Sequence, residues 1–110
     1  MLEKEVEKYL VEQCSRRGYM CLKFTSPSTA GVPDRIILSR YGTYFAELKR
    51  PEGGRISPLQ KATFDQFAKH GQMVYIIRSK EDVIRLVNEI SEMDESVMDH
   101  LNRCEVKSVA

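Results

Sequence analysis

Two short apolar runs that double back about Gly42 constrain this chain more than any other feature. Arg35-Ile36-Ile37-Leu38 and Tyr44-Phe45-Ala46-Glu47-Leu48-Lys49 flank the turn Arg40-Tyr41-Gly42-Thr43, and the pattern reads as a β-hairpin. An antiparallel return over the thirteen-residue step from Asp34 to Glu47 sets Asp34 beside Glu47 and Lys49. Side chains alternate faces along a strand, so Phe45, Glu47 and Lys49 share one face and Leu48 takes the other. Pro33 lacks a ladder donor and holds Val32 extended, which suits the start of a strand at Asp34.

Asp34, Glu47 and Lys49 therefore converge at one end of a sheet. Two carboxylates that close repel each other unless a cation lies between them. A few hard oxygen ligands suit Mg²⁺, which keeps several waters and shares its sphere with substrate phosphates. The Leu48 carbonyl is positioned as a third oxygen ligand. Lys49 could hold or help deprotonate an attacking water, or neutralise charge developing on a phosphate. A Glu-x-Lys triplet alone is a common surface ion pair, and Pro-Asp alone is a common turn starter. Their combination across one hairpin points to metal-dependent chemistry on a phosphodiester.

The rest of the chain supplies helices and two more strands. Leu2, Val6, Tyr9, Leu10 and Cys14 recur at helical spacing over residues 2–16, and Gly18 follows two arginines at the helix end. Residues 19–24 read as a strand and 25–31 as a small-residue loop. Pro51-Glu52-Gly53-Gly54 ends the hairpin. Ser57-Pro58-Leu59-Gln60 opens a second helix, with Ser57 as N-cap, Pro58 in the first position and Gln60 at the capping-box position. Met73-Val74-Tyr75-Ile76-Ile77 is nearly continuous in apolar residues, as expected for a strand covered on both faces. Ser79 caps a third helix from about residue 80 to 93. Residues 94–110 either extend it or form another. The order is α-β-β-β-α-β-α, an α/β fold with a mixed central sheet flanked by helices, and 1–93 reads as the domain with 94–110 as an extension.

At 110 residues the chain fits one domain. No apolar run approaches the ~20 residues that span a bilayer. Met1 leads directly into Glu3-Lys4-Glu5 rather than a signal sequence, so an intracellular setting is expected. Three cysteines, Cys14, Cys21 and Cys104, without paired spacing argue against a disulfide framework or a zinc site; Cys14 and Cys21 fall at apolar positions, as buried thiols do. Residues 49–80 carry seven Lys and Arg against two acids, whereas 81–105 carry eight acids against two arginines. That asymmetry suits either biased solvated faces or a phosphate-facing middle with an acidic tail held away from the polyanion.

Gly31-Val32-Pro33-Asp34, Phe45 to Pro51, Gly53 to Gln60 and Gly71 to Ser79 together resemble the VRR-NUC domain, a branch of the PD-(D/E)XK nuclease superfamily. The resemblance covers roughly residues 1–90. It implies a restriction-endonuclease-like α-β-β-β-α-β core with Asp34, Glu47 and Lys49 as the catalytic triplet and the Leu48 carbonyl as a metal ligand beside Asp34 and Glu47. Gln60 matches a helix glutamine near such sites, alongside its role in the capping box. Glu3 is the chosen first-helix glutamate. The implied cofactor is Mg²⁺ or Mn²⁺, with no small-molecule cofactor and no membrane. Stand-alone virus-encoded or bacterial members of this type resemble homodimeric, structure-selective nucleases of branched DNA such as four-way (Holliday) junctions.

Lys23, Arg50, Arg55 and Lys61 flank the expected site and are expected to contact DNA phosphates, which confers no base specificity. Tyr41 and Tyr44 could stack on unpaired bases or simply pack. Other readings are a nuclease of the same fold acting on flaps or DNA ends, and a non-catalytic DNA-binding or assembly module.

Overall fold

A stripe at positions 6, 10, 13 and 14 decides how the first helix sits. In the computed structural model, which describes the backbone of residues 2–109 and the side chains of residues 2–103, α1 spans Glu3–Arg16. Val6, Leu10 and Cys14 lie wholly inside, while Leu2, its N-cap residue, is exposed. Gln13 is the polar member of the stripe. Its Oε1 accepts from Arg17 Nη1 at 3.1 Å, and Arg17 Nη2 reaches Asn88 Oδ1 at 3.0 Å, which ties the two helices of that layer together.

The strands are β1 (Met20–Lys23), β2 (Arg35–Leu38), β3 (Thr43–Leu48) and β4 (Val74–Ile77), and the helices that follow are α2 (Pro58–Lys69) and α3 (Lys80–Val109). The sheet runs β1-β2-β3-β4, antiparallel in its first two pairings and parallel between β3 and β4. This is an α/β fold with a mixed central sheet flanked by helices. One face carries Ile37, Ala46, Leu48 and Ile77, which join α1 and α3 residues Val6, Leu10, Val83, Leu86, Val87 and Ile90 in one core. On the other face Phe24, Phe45 and Phe67 pack together, with Phe45 and Phe67 edge to face at 5.0 Å.

The apolar run at 73–77 forms an edge strand of the sheet. The helices α2 and α3 lie against it, but among the described residues no strand lies beyond it, and Val74, Tyr75 and Ile76 are only half-buried while Ile77 is buried. Cys21 is likewise half-buried, because β1 is the opposite edge; Cys14 is buried, and the Cys104 side chain lies outside the described residues. Residues 94–109 continue α3 without a break. A thirty-residue helix is about 45 Å long, and the molecule measures 56 × 29 × 20 Å. Its radius of gyration is 15.9 Å, above the about 13 Å of a compact chain near this length. Asp94 fastens the hairpin turn to α3: it accepts from Ser39 Oγ at 2.8 Å and from the Arg40 N–H at 3.2 Å.

The α2 face of the sheet is open at β1. Met20 pairs with Leu38 and Leu22 with Ile36, so these four aliphatic side chains lie on the face opposite α1. Met20 and Leu22 are 56% and 41% exposed. Among the described residues, no helix is long and apolar enough to cross a membrane.

Candidate active site

The register of the hairpin builds the site. Arg35 pairs with Ala46 and Ile36 with Phe45, so the next step outward sets Asp34 opposite Glu47. Pro33 is buried, and the Asp34 carbonyl still accepts from the Phe24 N–H at 2.9 Å, which anchors the residue as the strand begins. Asp34 Oδ2 accepts the N–H of Leu48 at 2.8 Å. In an extended strand the N–H and C=O of one residue point to the same side, so the Leu48 carbonyl lies along the edge that Asp34 faces. The Leu48 side chain is buried in the core on the opposite face.

Glu47 points into the layer beneath α2, with only 3% of its side chain exposed. Its Oε2 accepts from Gln60 Nε2 at 2.8 Å and pairs with Lys49 Nζ at 3.2 Å. Its Oε1 is buried with no partner, the one such side-chain polar atom among the described residues. Burial, then the neighbouring Asp34 carboxylate, push the Glu47 carboxyl above its ordinary value; Lys49 and Gln60 oppose the shift without cancelling it. Lys49 Nζ also donates to Gln60 Oε1 at 2.9 Å, and the Lys49 backbone N–H is held by the Ile77 carbonyl at 3.0 Å.

Gln60 closes the capping box of α2 and reaches the hairpin side chains with the same amide. Ser57 Oγ accepts the Gln60 N–H at 3.1 Å, and Gln60 Oε1 accepts the Ser57 N–H at 3.1 Å, completing the capping box. The same side chain bridges Lys49 and Glu47. The start of α2 is thus built into the site. Gly31 closes the loop against that start: its φ is +80°, and a Cβ there would lie 3.1 Å from Thr63 Oγ1 and 3.3 Å from Gln60 Cα.

The other expected residues lie outside this hydrogen-bonded group. Glu3 starts α1, on the far side of the sheet, and lines a shallow depression with Leu2, Lys4, Glu7 and Arg50. It does not join the hydrogen-bonded group. Glu7 pairs with Arg35 at 2.9 Å, one residue past Asp34. Lys23, Arg50, Arg55 and Lys61 are all exposed near the β1, β3 and α2 ends, with Lys61 also 3.4 Å from Asp65. Tyr41 and Tyr44 belong to the turn end of the hairpin, away from Asp34. Tyr44 packs on Tyr75 and Tyr41 lies under the Arg40 guanidinium.

A hard divalent cation fits the residues present. The unpartnered Glu47 Oε1 is a buried anionic oxygen that a cation would satisfy, and the adjacent Asp34 supplies the second carboxylate. Among the described residues no three His, Cys, Asp or Glu side chains gather at a metal-sized site. Two carboxylates and a main-chain carbonyl would be the donors, which would suit an ion that retains water. Two contributors escaped the sequence reading. Arg78 holds the turn after β3, and the Thr63 hydroxyl donates to the Ala30 carbonyl at 2.9 Å. Only the run Ala30-Gly31 hinted at the second.

No family model matches the sequence. A protein named "Putative nuclease p44" from Acyrthosiphon pisum secondary endosymbiont phage 1 is 32% identical over 80 residues, covering 72% of this chain and 85% of that protein. A solved structure described as a "VRR_NUC domain" superposes with a TM-score of 0.72 at 28% identity, covering 78% of this chain and 94% of the other. Hairpin, capped helix and a likeness over about three quarters of the chain agree, and the chain belongs to the VRR_NUC family of nuclease domains, on a PD-(D/E)XK-like α/β fold.

Proposed function

We propose that this chain is a Mg²⁺- or Mn²⁺-dependent endonuclease that hydrolyses phosphodiester bonds in branched DNA, four-way junctions among them. The observation that carries the reading is the buried, unpartnered Glu47 Oε1 beside Asp34, with Lys49 on the same face. Asp34, Glu47 and the Leu48 carbonyl would hold the ion. When bound, it would polarise the phosphoryl group and help a water lose its proton. Lys49 donates to Gln60 Oε1 and pairs with Glu47 Oε2, and an ammonium with three donors has capacity left for a phosphate oxygen or the attacking water. Gln60 bridges that ammonium and the Glu47 carboxylate. Lys23, Arg50, Arg55 and Lys61 grip the phosphates on either side. The nuclease unit spans 1–93 with 94–110 as an extension, and the setting is intracellular.

The assay is cleavage of matched labelled junction, flap and linear duplex DNA, with each ion and with chelator. Ion-dependent cutting of the junction ahead of the others is expected. Preferred cutting of flaps or ends moves the substrate but keeps the chemistry; no cutting of any DNA with either ion leaves a binding or assembly module.

A second copy of the chain is the expected partner. The exposed Met20 and Leu22, on one face with the half-buried Ile36 and Leu38, support this: apolar side chains there gain about 25 cal/mol per Å² removed from water. A two-fold axis would let two sites cut opposite strands of a junction. Light scattering should report a dimer that Leu22→Lys reduces to a folded monomer. A wild-type monomer at high concentration would remove the pairing.

A further inference from the structure

Arg78 follows β4 and belongs by sequence to the basic section that should face phosphate. Its guanidinium is engaged elsewhere. Nη1 donates to the Gly54 carbonyl at 2.5 Å and to the Arg50 carbonyl at 3.3 Å. The Arg78 backbone N–H donates to Asp82 Oδ2 at 2.9 Å, and the Asp82 N–H in turn donates to Ser79 Oγ at 3.1 Å. The base of the side chain is therefore fixed to the capped start of α3, and its tip spans both ends of the turn at 50–54.

That turn is closed tightly. A Cβ at Gly54 would lie 2.7 Å from the Arg50 nitrogen and 2.8 Å from the Arg50 oxygen, so only glycine fits. The turn also joins two groups that must meet. Lys49 leaves the sheet at one end, and Ser57 starts α2 near the other. Gln60 Oε1 is shared between Lys49 Nζ and the Ser57 N–H. Wherever the turn delivers Ser57, Gln60 follows, and the grip on Lys49 changes with it.

We propose that Arg78 is a positioning residue, a guanidinium clasp across the Arg50–Gly54 turn that sets Lys49 against Gln60, and not a phosphate contact. The proposal rests on the nuclease reading above for its catalytic consequence, although the clasp itself can be tested without cleavage. A displacement of about 1 Å in a reacting group costs roughly 100-fold in rate.

The experiment compares wild type with Arg78→Gln, Arg78→Lys and Gly54→Ala, each checked for a cooperative unfolding transition. Three quantities are read: single-turnover cleavage of junction DNA, the salt dependence of DNA binding, and the rate of trypsin cleavage at the Arg55–Ile56 bond. Arg78→Gln should cut DNA about 100-fold more slowly with an unchanged salt slope, and should expose Arg55–Ile56 to trypsin. Gly54→Ala should reproduce both effects by forcing the same turn open, and Arg78→Lys should restore part of the rate through one carbonyl. A salt slope lower by about one in Arg78→Gln would make Arg78 a phosphate contact and overturn the proposal. Wild-type cleavage by Arg78→Gln overturns it too, as does trypsin resistance equal to wild type. If the wild type cuts no DNA with either ion, the nuclease reading fails and the trypsin arm alone decides whether the clasp holds the turn.

Discussion

Glu47→Gln should cut DNA roughly 1,000-fold more slowly than wild type, the order lost when one preorganised electrostatic group is removed, yet should be the more stable protein in chelator. Glu47 is almost fully buried beside Asp34, and its folded carboxyl is raised above its ordinary value, by burial first and by Asp34 second. A raised carboxyl means that the folded state holds its proton more tightly than the unfolded chain does. Stability then falls as pH climbs from the unfolded value of 4.5 through the raised folded one, and the loss persists at neutral pH. Gln keeps the shape and an acceptor for Gln60 Nε2 but carries no charge, so this loss disappears. A divalent ion should do for the wild type what the substitution does by removing charge. Binding at 100 times the dissociation constant stabilises a fold by about 2.7 kcal/mol.

Thermal unfolding at pH 5 and pH 8, in chelator and in Mg²⁺, separates these effects. Wild type should lose stability between the two pH values in chelator and regain it with Mg²⁺. Glu47→Gln should show a smaller pH loss and little response to the ion. Asp34→Asn, which keeps an acceptor for the Leu48 N–H and removes the repelling charge, should behave likewise. A Glu47→Gln protein that is less stable than wild type in chelator at pH 8, or that gains as much from Mg²⁺, would contradict the assignment of Glu47 as an ion ligand.

The parts of the site that could be read from the sequence are those written in local chemistry. Ser57-Pro58 and Gln60 specify a capping box within four residues, and the structure forms it. The alternation from Phe45 to Lys49 fixes which side chains share a face, and Gly42 fixes where the strand turns back. What escaped depends on distance along the chain. Arg78 meets carbonyls 24 and 28 residues away, and a carbonyl leaves no mark in a sequence, so Arg78 looked like any exposed cation. The run at 73–77 has the composition of a buried strand, but composition does not say whether a further strand lies beyond it; among the described residues none does. The place of Glu3 depends on the fold as well as on the helix. A helical wheel ranks glutamates by nearness to the apolar stripe, and that stripe faces the core side of the sheet, whereas Asp34 and Glu47 face the α2 side.

Gly31→Ala should damage both stability and cleavage, and a second glycine shows why. Gly31 and Gly71 have nearly the same backbone, with φ of +80° and +78°. Alanine in this left-handed region costs about 1–2 kcal/mol at either position. Their surroundings differ. A Cβ at Gly71 meets nothing within 4 Å, whereas at Gly31 it would press on Thr63 Oγ1 at 3.1 Å, the Leu59 carbonyl at 3.2 Å and Gln60 Cα at 3.3 Å. Two of these three contacts are helix backbone at the capping box, which cannot rotate away as a side chain can. Relief must come from the loop lifting, which breaks the Thr63 bond to the Ala30 carbonyl, or from α2 shifting, which carries Gln60 off Lys49 and Glu47. Gly71→Ala should therefore lose stability by the backbone cost alone and cut DNA at the wild-type rate. Gly31→Ala should lose more stability and cut roughly 10–100-fold more slowly, the range for residues that orient metal ligands. Denaturant unfolding and single-turnover cleavage on the two variants decide the matter. Equal cleavage rates would mean that the loop before Asp34 is mechanically independent of Gln60, and the site would then consist of the hairpin alone.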